Sequence, residues 1–591
     1  MLKELKPLWP YARRYRAKIA KGLTLVVVAN LFGLSWPYLL KLAIDSFDAG
    51  IGALGLFSFA VGIVALALIA GTCRFGMRLY LNSVSRRVEA DLRDDFYAHL
   101  SRLAPEFYNR VPTGEIMSRA TNDILAVRMV AGPAIMYLLN TAVVAVIALS
   151  MMAWIDFRLM LWAMLPMLIV PPTVLYFGRE IHRRFEEIQA QFGRLSTMAQ
   201  QNLSGARIVR AYVREDTQSS EFAELNKGYL SRNMRLAKVW GLFHPALMFL
   251  TGLAAVIVLG VGGRDVVTGH ITLGDFVAFS FYLLLLMWPM IALGWVVNLF
   301  ERGAASMSRI QEIMDQKPSI LDSEQPLEIA QPKGAVEFVN VGFRYPGTER
   351  WVLRDITFKI EPGQTVAIVG PTGAGKSSIV RLIPRLYDPQ EGEVLLDGMP
   401  ISQLRLEQLR KLIAVVPQEP FLFSETLGDN VAFGLSGEYD EQSIVDASQI
   451  AQLADTILDF PDGYKTQLGE RGINLSGGQK QRATLARALT RDALVLILDD
   501  ALSAVDTHTE ARILDGLHDV LTQRTSIIVS HRVTAVKDAD MILVVEDGEI
   551  VERGVHEDLI AGRGTYARLL RRQLLEESLA AAEPESFPTP A

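Results

Sequence analysis

Gly370-Pro371-Thr372-Gly373-Ala374-Gly375-Lys376-Ser377-Ser378 follows directly on the apolar run Thr365-Val366-Ala367-Ile368-Val369. The order is a strand, a glycine-rich loop of the form G-x-x-x-x-G-K-S, and a helix-forming run from Ile379 to Leu386. Each residue type there suits a nucleoside triphosphate. Glycines let backbone N–H groups turn inward around phosphate oxygens, and a helix N-terminus adds positive potential. Lys376 is spaced to reach the β- and γ-phosphates, and Ser377 to ligate Mg²⁺. A Gly/Ser-rich surface turn would need neither the strand before it nor the helix after it.

Such a loop requires a carboxylate on a nearby buried strand to hold the metal. The run Leu494-Val495-Leu496-Ile497-Leu498 is that strand, and Asp499 stands at its C-terminal end. Around these motifs, short β-branched strands alternate with turns and helices: 336–343, 357–360, 365–369, 393–396, 412–416, 494–498, 526–529 and 541–545. The pattern predicts an α/β nucleotide domain with an antiparallel portion.

The first 320 residues differ. The chain has 591 residues, half of them hydrophobic, too many for one core. Most of the apolar residues fall before Pro318, in six runs long enough to cross a bilayer: about 22–46, 55–80, 128–154, 157–178, 243–265 and 275–300. The linking segments 48–54, 155–158 and 266–274 are short and hold few Lys or Arg. Cations gather at the N-terminus (Lys3, Lys6, Arg13, Arg14, Arg16, Lys18, Lys21) and in polar excursions at 81–127 and 179–242. The positive-inside rule puts the N-terminus, both excursions and the nucleotide domain on the cytoplasmic side of the cell membrane. Each excursion breaks once near its middle, at Tyr108–Gly114 and at Ser204–Arg207, which predicts two long helical hairpins, each with a short transverse helix at its tip. The expected division is a transmembrane domain over 1–320, a linker over 321–335, the nucleotide domain over 336–575 and a disordered tail over 576–591. The net charge of −6 gives no sign of nucleic-acid binding, and the single cysteine, Cys73, excludes an intramolecular disulfide. No cleavable signal peptide is evident.

Leu475-Ser476-Gly477-Gly478-Gln479 is a second glycine-rich signature. With the P-loop and Asp499 it makes the chain resemble the ATP-binding-cassette family, over about residues 10–575. Six spans ahead of one cassette look like an exporter half-transporter of the multidrug or lipid A type. The resemblance implies ATP and Mg²⁺ as cofactors, a second half-transporter as partner, and a signature that closes over ATP held by the partner's P-loop. It implies that Tyr345 stacks on adenine, that Gln418 senses Mg²⁺ and the attacking water, and that Ser503-Ala504-Val505-Asp506 crosses the cassette dimer. His531 corresponds to the switch histidine and Gly469–Gly472 to the exporter-specific loop. The hairpin tips, 109–119 and 204–213, correspond to the coupling helices.

One position departs from the family. A glutamate usually follows the metal-binding aspartate and polarises the attacking water, but this chain has Asp500. Aspartate withdraws the carboxylate by roughly 1.5 Å, one C–C bond length. A base must lie within about 2.6–3.2 Å of the proton it takes. The expectation is a P-loop that binds ATP and hydrolyses it slowly. In the family this substitution is typical of one subunit of a heterodimeric exporter; the alternative is a slow homodimer. An ATP-gated channel or regulator and a lipid flippase are further readings. Candidate cavity residues in the spans are Asn30, Trp36, Tyr137, Asn140, His244, Trp288 and Asn298, though helix–helix hydrogen bonding explains such residues equally. No cluster of buried charges is visible, which favours a small apolar or amphipathic substrate.

Overall fold

The computed structural model describes residues 3–48, 53–435 and 441–582. The chain divides into two compact units, Met1–Ser101 with Pro112–Gln316, and Arg102–Val111 with Lys317–Ala591. Residues 49–52 of the first predicted link and 583–591 of the predicted tail lie outside the described residues.

The first unit is helical. Among the described residues six helical spans are long and apolar enough to cross a membrane: Arg16–Phe47, Leu54–Leu100, Thr113–Ile155, Phe157–Ser204, Glu215–Val267 and Leu273–Met314. Each contains one predicted run. In hydrocarbon every backbone N–H and C=O must be satisfied within the segment, which an α-helix achieves. The helices Ala53–Leu100 and Glu215–Ile257 extend well beyond their apolar stretches, the former after it and the latter before it. For the former, the 20 residues after Tyr80 add about 30 Å at 1.5 Å per residue.

The first span is not the continuous helix expected. It stops at Gly33 and restarts at Trp36. Pro37 is the cause: it has no N–H to give, and its ring would clash with the Gly33 carbonyl. The buried Tyr282 hydroxyl donates to the Leu34 carbonyl across the break at 3.0 Å. Pro133 is accommodated instead in a π-turn, Val130–Ala134. The link at 155–158 is a tight cap, in which the Asp156 carboxylate accepts from the Leu159 N–H at 2.6 Å. Thr272 and Asp275 form a capping box at the start of the last span.

The tip of the first hairpin also differs from expectation. Residues read as a break form half of a short helix, Pro105–Arg110, with Pro105 at its first turn and Pro112 shortly beyond its end. A second short helix, Thr113–Ser118, follows. The other tip carries Ala206–Ala211.

The second unit holds ten strands among its described residues: β1 (Val336–Phe343), β2 (Leu353–Ile360), β3 (Thr365–Val369), β4 (Glu391–Leu396), β5 (Met399–Pro400), β6 (Ile413–Val416), β7 (Val495–Asp499), β8 (Thr525–Val529), β9 (Met541–Glu546) and β10 (Glu549–Gly554). β2-β1-β4-β5 form an antiparallel sheet, and the other sheet runs β10-β9-β3-β8-β7-β6. In that second sheet β9, β3, β8, β7 and β6 are parallel and β10 is antiparallel on the edge. The central strands β7 and β8 are buried at every position, as uninterrupted apolar runs require when helices cover both faces. β5 and β10 were not foreseen.

Candidate nucleotide site

The C-terminal ends of three strands of the mainly parallel sheet converge on one cleft, where such sheets bind ligands. β3 delivers the P-loop, β7 delivers Asp499 and Asp500, and β8 leads to His531. β7 is not adjacent to β3; β8 lies between them. The cleft has a volume of about 320 Å³, and its lining includes Tyr345, Thr372, Gly373, Gly375, Lys376, Ser377, Ser378, Gln418, Asp499, Asp500 and His531.

The loop geometry depends on glycine at two places. Gly370 has φ +153°, and a Cβ there would fall 2.0 Å from the Val545 carbonyl oxygen. Gly375, with φ +104°, caps the helix Lys376–Leu382, and a Cβ there would meet Leu353 at 2.8 Å. Pro371 and Ala374 complete the loop, with the Ala374 N–H donating to the Pro371 carbonyl at 3.2 Å. The Lys376 ammonium donates to the carbonyls of Gly370 (2.8 Å) and Pro371 (2.9 Å), which folds it over the loop. Burial pulls its pKa below the usual lysine range, against the opposing pull of Asp500 and Asp499.

The Ser377 hydroxyl donates to Asp499 at 2.8 Å. Asp499 is 4% exposed, and burial pushes its carboxyl above the ordinary value despite the Ser377 bond and the nearby Arg381 and Lys376. A buried, incompletely compensated carboxylate bonded to a serine hydroxyl, in a cleft that a glutamine amide also lines, is an all-oxygen donor set, which fits Mg²⁺. Asp499, Ser377 and Gln418 are the residues that would hold the ion.

Asp500 has φ +52°, in the left-handed region that aspartate tolerates better than most residues. Its backbone N–H donates to the Val529 carbonyl at 2.9 Å. His531 Nδ1 lies 2.8 Å from Asp500 Oδ1, so against an ionised carboxylate the ring donates. Tyr345 sits edge-on to Phe343 and Tyr387, with centroids at 4.9 and 5.3 Å, and its hydroxyl bonds Ser378 at 3.0 Å.

The signature residues Ser476, Gly477, Gly478 and Gln479 do not line this cleft. Ser476 caps the helix Gly477–Leu489 in a reciprocal capping box with Gln479. Two residues were missed by sequence reasoning. Gln481, on that helix and 4% exposed, donates to the Ser503 hydroxyl and accepts from the Ala504 N–H, both at 2.9 Å. Tyr387 packs on Tyr345 and accepts a 3.0 Å hydrogen bond from Asn109, on the hairpin-tip helix grouped with this unit. A polar residue at an inward helical position was the available signal for Gln481; Tyr387 offered none beyond its aromaticity. The Arg471 side chain of the predicted exporter loop lies outside the described residues.

Residues 19–290 match the family model "ABC transporter transmembrane region", and residues 353–503 match "ABC transporter". The chain is 38% identical over 575 residues to the multidrug resistance-like ATP-binding protein MdlA of Escherichia coli K12, covering 97% of this chain and 96% of that one.

The chain belongs to the ABC transporter family.

It is 33% identical over 576 residues to an ATP-dependent lipid A-core flippase of Syntrophus aciditrophicus, across 97% and 95% of the two chains. A solved bacterial Atm1-family ABC exporter with ATP bound superposes with a TM-score of 0.77 at 29% identity, covering 94% of this chain and 99% of that one. One membrane domain and one ATP-binding domain in a single chain make this an ABC exporter half-transporter, a multi-pass membrane protein whose ATP hydrolysis is coupled to transport.

The first unit contains a larger cavity, of about 700 Å³. Asn30, Trp36, Tyr137, Asn140 and Trp288 line it as anticipated; His244 and Asn298 do not. Asn30 donates to Asn140 at 2.9 Å. Arg74 and Arg78, both exposed, also line it, so the cavity carries charge at one end. They were missed because they fall where the apolar run gives way to the polar excursion.

Proposed function

We propose that this chain is the slow-site subunit of a heterodimeric exporter that moves amphipathic or hydrophobic compounds across the cell membrane. The transmembrane domain spans 1–320 and is joined by the linker 321–335 to a cytoplasmic nucleotide domain over 336–575. MgATP sits in the cleft, with phosphates on Gly370–Ser378 and adenine on Tyr345, and with Mg²⁺ on Ser377, Gln418 and Asp499. Ser476, Gly477, Gly478 and Gln479 close over ATP on the partner.

The observation that carries the reading is Asp500. Its short carboxylate already accepts from His531 at 2.8 Å, which draws it toward the switch histidine and away from an attacking water. Closure on ATP provides the work, because ATP binds the closed dimer better than the open one. The intact signature supports a role in completing a competent partner site. The lipid A-core flippase relative favours, as a second reading, a lipid as cargo.

The test is the order of two variants in the reconstituted complex. Gly477→Asp should remove most steady-state ATPase, because it strips contacts from the partner's fast site. Asp500→Asn should cost little. Loss of all hydrolysis in Asp500→Asn alone would make Asp500 a working base and the two sites equivalent.

A further inference from the structure

We propose that the cavity of the membrane unit takes an anionic amphiphile, a phosphate- or carboxylate-headed molecule with an apolar body, held by Arg74 and Arg78. This rests on the exporter reading above and names the substrate class of its cavity.

Both arginines lie on the helix Ala53–Leu100 and face the cavity of about 700 Å³. The cavity-lining residues of this helix run from Ile63 through Ala70 to Arg78, at helical spacing on one face. The face is therefore graded. Its first two turns are apolar, over about 11 Å, and its last two present guanidinium groups on adjacent turns about 6 Å apart. Across from it stand Trp36, Tyr137 and Trp288, flat apolar surfaces suited to a chain or ring. The cavity thus offers one cationic end and one apolar body.

A charge at the end of a membrane span is costly unless it is paired or hydrated, and so marks function. Among the described residues no carboxylate pairs with either guanidinium. Arg74 has partial compensation. A Cβ built on Gly33 would lie 2.7 Å from its Nη2, so the group rests against the carbonyl end of the helix Arg16–Gly33, where partial negative charge favours a cation. That contact orients Arg74 without neutralising it, and Arg78 lacks even this. A phosphate or carboxylate accepts from two such forks through charge-assisted bonds, whereas a cationic amphiphile would be repelled.

The test uses the full transporter, with its partner, in phosphatidylcholine nanodiscs. Two probes share one fluorescent dodecyl chain; one ends in phosphate, the other in trimethylammonium. The phosphate probe should bind at least about tenfold more tightly, and Arg74→Ala/Arg78→Ala should weaken it by about 10–100-fold without weakening the ammonium probe. Arg74→Lys/Arg78→Lys, which keeps both charges and loses the forks, should bind more weakly than the wild type and more tightly than the alanine pair. ATP binding in the cleft reports folding of each variant. Competition by dodecyl phosphate assigns the head group to a free amphiphile, and competition by phosphatidic acid placed in the disc assigns it to a lipid. Equal affinity for the two probes, failure of both competitors, or a lysine pair as weak as the alanine pair would overturn the proposal. In sealed phosphatidylcholine proteoliposomes, ATP-driven accumulation of the ammonium probe in preference to the phosphate probe would overturn it while leaving the exporter intact. No ATP-driven movement of any probe would instead refute the exporter reading.

Discussion

Adding one methylene at position 500 should convert the proposed slow ATP site into a fast one. Asp500→Glu advances the carboxylate by about 1.5 Å. Misplacement of a reacting group by about 1 Å costs on the order of 10²-fold in rate, or about 2.7 kcal/mol of barrier. The cleft of about 320 Å³ has room for the longer chain, and His531 beside it is half-exposed and free to shift. The cost in stability is small. Position 500 has φ +52°, and glutamate is less at ease there than aspartate, by up to about 1 kcal/mol. On the heterodimer reading the partner's fast site would mask the gain, so it must be silenced first. Gly477→Asp does this from the same chain. A Cβ at Gly477 meets only the Ala504 Cβ at 3.5 Å, ordinary contact, so the change acts across the dimer and not on folding. Phosphate release at saturating MgATP is then measured for the wild type, both single variants and the double variant. Asp500→Glu alone should raise turnover at most about twofold, since it adds one fast site to another. Gly477→Asp should fall to the slow-site rate, and the double variant should recover on the order of 10²-fold from there. A double variant no faster than Gly477→Asp would refute the argument that the missing methylene limits this site.

The remaining expectations are more direct. Lys376→Ala should abolish labelling of this chain by an azido-ATP analogue, because the phosphates lose the ammonium that caps the loop. Asp499→Asn should raise the melting temperature without nucleotide by a few degrees while eliminating Mg²⁺-dependent ATP binding. Burial raises the Asp499 pKa, so the charged form costs folding energy at neutral pH, and that cost fades as pH falls into the carboxylate range, closing the gap between variant and wild type. Cysteines at Thr113 and Arg207, in a Cys73→Ala background, should resist impermeant thiol reagents in intact cells; Arg207 is preferred to Gly205, where a Cβ would lie 2.9 Å from the Gln201 carbonyl oxygen. Gln481→Ala should lower the melting temperature of the nucleotide unit, since it strands the buried Ser503 hydroxyl and Ala504 N–H at about 1–3 kcal/mol, and should slow hydrolysis.

The sequence was most legible where one physical demand dominates. β3 begins and ends where its apolar run does, because a strand buried on both faces needs nearly unbroken apolar residues. β10 was hidden because Glu549-Ile550-Val551-Glu552-Arg553-Gly554 is an edge strand with solvated charges, and β5 because two residues around Pro400 carry no pattern. The spans were legible from hydropathy, but the stop at Gly33 required weighing Pro37 against its turn. Of the site, the P-loop, Asp499, Asp500, Gln418, His531 and Tyr345 meet in one cleft, since each stands at a strand end or the loop that follows. Arg74 and Arg78 escaped because hydropathy shows where a span ends and not which face of its last turns lines a cavity.

The split between the cleft and the signature is itself informative. Asp500 and His531 lie on the cleft, and Ser476–Gln479 lie apart from it, yet both belong to one rigid neighbourhood. Gln481, two residues beyond the signature, holds Ser503 and Ala504, which begin three residues after Asp500. Arg532, next to His531, pairs with the buried Glu510 and reaches the Ser503 carbonyl at 3.5 Å. The segment 500–504 is therefore fixed from both sides, by the signature helix at one end and by the switch loop at the other. A displacement of the signature as it meets a partner's ATP must move Ser503 and Ala504 or break two buried hydrogen bonds, and the same segment carries Asp500. On the heterodimer reading proposed above, this chain would still report, through Gln481, on the state of the site it completes in its partner, which would give a reason to retain an ordered cleft whose proposed base is one methylene short.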